Sequence, residues 1–103
     1  MVLDRLQRWY HDQCDEDWEH QYGVKIDTLD NPGWSVNIDL IGTSLETKPF
    51  AELRENLDDD DCQQSDRWMH CRVANKVWIG FGDETKLERL LKTFLSWAES
   101  DGS

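Results

Sequence analysis

Between Tyr22 and Leu40 apolar and polar residues alternate twice, on either side of Asp30-Asn31-Pro32-Gly33. Tyr22, Val24, Ile26 and Thr28 share one face of the first stretch. Trp34, Val36, Ile38 and Leu40 share one face of the second, opposite Ser35, Asn37 and Asp39. A period of two marks a β-strand with one buried face. A slip of one residue would turn a whole apolar set to water. The register that avoids this pairs Thr28 with Trp34, Ile26 with Val36 and Val24 with Ile38, across the loop Leu29 to Gly33. Proline fixes φ and glycine accepts positive φ, so this loop has the chemistry of a turn. An antiparallel hairpin is the element around which the rest must be arranged.

The same reasoning applied further along predicts a second hairpin. Met69, Cys71 and Val73 face inward and pair with Phe81, Ile79 and Val77 across the loop Ala74-Asn75-Lys76. That register puts Trp68, His70, Arg72 and Trp78 on the opposite, outer face. Leu3, Leu6 and Tyr10, with Val2 and Trp9 beside them, predict an amphipathic helix over residues 2–13. Leu87, Leu90, Leu91, Phe94 and Ala98 predict another, running to about residue 99 and N-capped by Asp83. Lys48 to Leu57 fits a helix through Phe50, Leu53 and Leu57, and a strand through Ala51, Leu53 and Leu57. Asp58 to Ser65 reads as a loop. The expected architecture is a single α+β domain over residues 1–103. It has an N-terminal helix, an antiparallel sheet of four or five strands in two hairpins, and a C-terminal helix, with both helices on one sheet face.

At 103 residues the chain can bury one core, and six Trp supply much of its apolar surface. Eleven basic against twenty-two acidic residues give a formal charge of −11. So acidic a surface repels nucleic acid and anionic membranes and attracts basic partners. Cys14, Cys62 and Cys71 are odd in number and irregularly spaced, which suits a reducing cytosol better than a disulfide scaffold. The first residues form no signal peptide and no stretch reaches membrane-spanning length, so a cytoplasmic location is expected.

The loop Cys14 to His20 gathers a thiol, an imidazole and several carboxylates. It invites a metal reading with Cys14, Asp17, Glu19 and His20, or a nucleophilic one with Cys14 served by His20 or His70. Neither C-x-x-C nor H-x₃-H spacing is present, and the plainer reading is that Trp18 plugs the core edge while Glu19 and His20 satisfy loop backbone groups. The run Asp58, Asp59, Asp60, Asp61 lacks the alternation and glycine of a calcium loop and reads as a solvated acidic loop. No phosphate-cradling glycine motif occurs and no cofactor is indicated.

The segment Cys14-Asp-Glu-Asp-Trp-Glu-His-Gln-Tyr-Gly-Val-Lys-Ile-Asp-Thr-Leu-Asp-Asn-Pro-Gly-Trp34 resembles immunity protein family 53. The likeness continues through Trp34–Leu40, Lys48-Pro-Phe, Trp68–Val73 and the terminal Leu-rich helix with Trp97. The family comprises small bacterial proteins assigned to polymorphic toxin–immunity systems. The resemblance implies a non-enzymatic protein that binds a cognate toxin domain stoichiometrically, and it favours a strand in Lys48 to Leu57. A basic phosphate-holding patch is common on nucleases, which makes a nuclease toxin the expected partner. Candidate toxin contacts are Trp18, Glu19, His20 and Tyr22 in the first loop, Asp58 to Asp61, and Trp68, His70, Arg72 and Trp78 on the second hairpin. The alternatives are a small enzyme or metal protein built on Cys14, Glu19 and His20, or an adaptor holding a small ligand. Oligomeric state is open.

Overall fold

The computed structural model describes residues 1–30, 32–56 and 67–100. Along the chain run α1 (Val2–Gln13), the single turn α2 (Trp18–Gln21), β1 (Val24–Leu29), β2 (Gly33–Asp39), β3 (Leu53–Glu55), β4 (Met69–Ala74), β5 (Val77–Gly82) and α3 (Leu87–Glu99). The strands form one antiparallel sheet in the order β1-β2-β5-β4-β3. The first hairpin has the expected register, with Thr28 opposite Trp34, Ile26 opposite Val36 and Val24 opposite Ile38. Leu29 and Gly33 also pair, so the loop is shorter than expected. The ambiguous segment forms a strand at Leu53–Glu55, while Leu57, Cys62 and the loop 58–65 lie outside the described residues.

The second hairpin departs from expectation by one residue. Asn75 and Lys76 have φ of 53° and 62°, the two left-handed residues of a two-residue hairpin turn. Ala74 therefore pairs with Val77, Val73 with Trp78 and Cys71 with Gly80. Trp78 consequently lies on the core face and is fully buried, while Val77, Ile79 and Phe81 turn to the outer face. The three-residue loop predicted from sequence cost the correct parity of the whole strand. Gly80 confirms that parity physically. A Cβ built on it would stand 2.7 Å from Trp78 Cζ3 and 3.0 Å from Leu90 Cδ2. The absent side chain is the space into which the Trp78 ring folds.

Both long helices cover this face. Val36, Ile38, Leu40, Met69, Cys71 and Trp78 pack with Leu90, Leu91, Phe94 and Leu95 of α3 and with Val2 and Leu6 of α1. Trp34 is only half-buried, and its indole Nε1 donates to Glu84 O at 3.1 Å. Lys48-Pro49-Phe50 closes the other end of α3. Lys48 Nζ donates to the carbonyl oxygens of Trp97 (2.6 Å) and Ser100 (3.0 Å), where the helix leaves acceptors unsatisfied. Trp97 Nε1 in turn donates to Pro49 O at 2.8 Å.

Asp83 is not the N-cap of α3, which begins at Leu87 with Lys86 in the cap position. Its carboxylate instead accepts from the Thr85 amide and hydroxyl through Oδ1, and from the Trp68 amide and Lys86 Nζ (both 2.8 Å) through Oδ2. It thereby ties the start of β4 to the approach to α3. Burial alone would raise this carboxyl. The Lys86 ammonium and the Thr85 and Trp68 donors outweigh it and hold the group well below the usual carboxylate range.

Gly80→Ala is expected to lower stability by about 1–3 kcal/mol through overpacking against Trp78. An unchanged denaturation midpoint would mean that Gly80 faces outward after all. Asp83→Ala strands the Lys86 charge and is expected to cost about 3–5 kcal/mol at neutral pH. Because the folded carboxyl sits below its unfolded value, that stabilisation is present above about pH 4 and drains away as pH falls further. Denaturation of the two proteins at stepped pH should show their stabilities converging in acid. A gap that stays constant would refute the assignment.

Candidate functional site

The first loop is built around its own carboxylates. Past α1, Asp15 Oδ1 accepts from the amides of Asp17 (3.0 Å) and Trp18 (2.9 Å), which starts α2. Glu19 reaches back to accept from the amides of Asp15 (2.9 Å) and Glu16 (3.0 Å), and Glu16 takes the left-handed conformation, φ 79°, that lets the loop curl around it. The Trp18 and Asp17 amides lower the Asp15 carboxyl. Loop amides, its own first and then those of Asp15 and Glu16, lower Glu19 despite some opposing desolvation. The Cys14 thiol donates to Tyr10 O at 3.3 Å. Trp18 anchors the whole turn. It is 6% exposed, donates from Nε1 to Ile41 O at 2.8 Å, and packs against Trp9, Tyr10 and Tyr22.

Beside this loop lies a cleft of about 520 Å³. Leu6, Gln7 and Tyr10 of α1 form one wall, Glu19, His20 and Gln21 of α2 with Tyr22 form a second, and Val24, Lys25 and Asp39 of the sheet form the third. Asp39 fastens the sheet end to the loop, since its Oδ2 accepts from the Gly23 amide at 3.0 Å while its own amide donates to Gly23 O.

The structure divides the sequence-predicted contacts into two groups. Glu19, His20 and Tyr22 meet at the cleft, with Trp18 buried behind them as their support. The hairpin group does not assemble. Trp78 is in the core, Trp68 is 7% exposed, and His70 is buried with Nε2 at 2.6 Å from Glu52 Oε2. Of that group only Arg72 is exposed. In place of the expected Trp pair, that face carries half-buried Val77, Ile79 and Phe81 beside Ser35 and Asn37. Asp58 to Asp61 lie outside the described residues. Sequence reasoning missed Gln7, Tyr10, Lys25 and Asp39 as cleft walls. The signal for Gln7 and Tyr10 was their helical spacing from Leu3, which sets all three along one side of α1.

Among the described residues no group of three or more His, Cys, Asp or Glu side chains is placed to hold a metal ion. No described helix is long and apolar enough to cross a membrane. The family model described as Immunity protein 53 matches residues 3–99. The chain belongs to that family. No curated protein and no solved structure matches it. For this Immunity protein 53 member, the segments that carried the family likeness now have physical roles. Lys48-Pro49-Phe50 and Trp97 clamp the end of α3, while Trp18 and Glu19 hold the first loop in place.

Trp18→Ala should cost about 3–5 kcal/mol, as removal of a buried aromatic does. Glu19→Ala should leave the denaturation midpoint nearly unmoved but speed amide exchange at Asp15 and Glu16. Equal effects of the two substitutions would show that anchor and brace are not separate.

Proposed function

We propose that this chain is an immunity protein that binds a cognate bacterial toxin domain in a stoichiometric complex and blocks it without performing chemistry on it. The observation that carries this reading is the family match over residues 3–99. Electrostatics support it. With a formal charge of −11 and Asp12, Asp15, Glu16 and Asp17 all exposed around the first loop, the surface draws in a basic partner and discourages acidic ones. Asp58 to Asp61 are four of the acidic residues behind that charge. A nuclease toxin has the complementary charge, because it must hold phosphates.

The contact surface is the first-loop side of the molecule. Glu19, His20 and Tyr22 converge there with Tyr10, whereas Trp68, His70 and Trp78 are withdrawn from solvent. Arg72 remains a candidate on the outer face. The rival enzyme or metal reading is weakened by the occupations of its own residues, since Cys14 donates to a backbone carbonyl and Glu19 is spent on backbone amides. The adaptor reading has the cleft volume in its favour, within the range of small-ligand sites.

Co-expression with the toxin domain encoded beside its gene should restore growth, and the purified proteins should form a one-to-one complex. Titration separates binding from catalysis. Protection should fail once toxin exceeds immunity protein, and association should slow steeply with added salt. Cys14→Ser should protect as well as the native protein. Protection by a small fraction of an equivalent, or its loss with Cys14→Ser in a folded protein, would return the chain to the enzymes.

A further inference from the structure

The two edges of the sheet are not alike. β3 is three residues long, and side chains tie it to its surroundings. Glu55 pairs with Arg89 at 2.6 Å, and Glu52 beside it bridges Arg54 and His70. β1 is six residues long, pairs only with β2, and is exposed from Lys25 through Thr28 on both of its faces. The Asp39 amide bonds to Gly23 O. By the alternation of antiparallel ladders, Lys25, Asp27 and Leu29 then exchange bonds with β2. The N–H and C=O groups of Val24, Ile26 and Thr28 therefore point away from the sheet, and no described backbone group bonds to them. Exposed edges of this length are usually blunted by proline, a bulge, an inward charge or charged side chains such as Lys. Val24 to Leu29 has only the last of these, Lys25 and Asp27 on its outer side, which leave its backbone groups open.

A second feature runs alongside. Four large hydrophobic residues are exposed among those described, and three of them, Leu3, Tyr10 and Ile26, belong to α1 and β1. Tyr10 lines the cleft with Gln7, while Leu3, one turn before Gln7 and two before Tyr10, lies against Leu87 and Leu91 of α3. Ile26 projects to the helix side of the sheet yet is 39% exposed, because the core packing of α1 stops short of it. The open backbone edge is flanked at its Val24 end by the cleft, whose walls there are Leu6, Gln7 and Tyr10 of α1. The charge along the edge is mostly acidic, with exposed Asp27 on the outer side and Asp30 at the far end beside exposed Lys25, and with Glu19 and Asp39, both bonded to loop amides, at the cleft end.

We infer that the β1 edge, with the cleft at its Val24 end, receives an extended basic segment of the toxin domain as an added sixth strand. Backbone pairing to Val24, Ile26 and Thr28 supplies the register, as in other strand-addition modes. An apolar side chain of the segment packs on exposed Ile26, and a Lys or Arg on the opposite side meets Asp27. The inference rests on the immunity reading and specifies where and how the toxin is held.

Thr28→Pro tests it, because proline is tolerated at an edge whose N–H faces solvent but removes the donor an added strand needs. Thr28→Ala loses the same hydroxyl and keeps that donor. Binding of the neighbouring gene's toxin domain should be about 10- to 100-fold weaker for Thr28→Pro than for Thr28→Ala, with both proteins showing native circular dichroism. In the native protein, hydrogen exchange at the amides of Ile26 and Thr28 should slow when toxin binds, a readout that needs no variant. Equal affinities of the two variants, or edge amides that exchange as fast in the complex as free, would overturn the inference while leaving the immunity reading intact. Edge amides already protected in a toxin-free dimer would overturn it too, in favour of a second copy of this chain on the edge. A native protein that neither binds nor protects would instead remove the immunity reading, and strand addition with it.

Discussion

Trp78 lying across Gly80 is the contact on which the rest of the molecule depends. The glycine leaves a gap in the sheet just large enough for the indole to fold over its own strand, and Leu90 closes the gap from above. From there aromatic rings pass the packing outward. Phe50 and Phe94 meet Trp78 at 6.0 and 5.5 Å between centroids, Trp9 meets Phe94 at 5.0 Å, Trp18 meets Trp9 at 6.1 Å, and Tyr22 meets Trp18 at 6.3 Å. Most of these pairs are edge-on, the arrangement that ring quadrupoles favour. A continuous aromatic seam therefore runs from the centre of the sheet to the wall of the cleft. The first loop is held by the same core that holds the sheet, which pre-organises a binding surface and limits the ordering cost of using it.

That seam also explains why so acidic a chain can fold. Three of its ion pairs clip elements together: Arg5 to Glu99 joins the helices, Lys76 to Glu46 secures the second hairpin turn, and Arg89 to Glu55 fixes the short edge strand. Exposed pairs of this kind contribute little each. Asp83 is the exception, buried and fully hydrogen-bonded between β4 and α3. Apolar burial stabilises the fold, and the surplus carboxylates are left on the surface, where they cost self-repulsion and provide steering.

Much of this was written in local patterns. The span of α1, the extent of α3 to Glu99 and the register of the first hairpin follow from periodicity, because only one register keeps Val36, Ile38 and their partners out of water. The second hairpin was not legible in the same way. Val77, Ile79 and Phe81 are as apolar as Trp78, so both faces of β5 satisfy a hydrophobic pattern, and alternation cannot choose between them. Two left-handed residues at Asn75 and Lys76 made the choice, and neither is the glycine that would have announced it. The outer-face Trp pair disappeared with that one-residue shift.

The candidate site divides along the same line. That the first loop is acidic, carries Trp18, Glu19, His20 and Tyr22, and braces itself through short-range hydrogen bonds was readable, since Asp and Glu near free amides act locally. That Tyr10 and Gln7 stand across a cleft from His20, and that β1 and the short β3 are the two edges of the sheet, could come only from the assembled structure. Strand order is set by which faces find cover once the helices dock, and that is a property of the whole chain. The residues by themselves determined an acidic α+β domain with a self-braced first loop. Tertiary packing decided which strands would form the sheet's edges, because an edge exists only relative to the sheet that stops there.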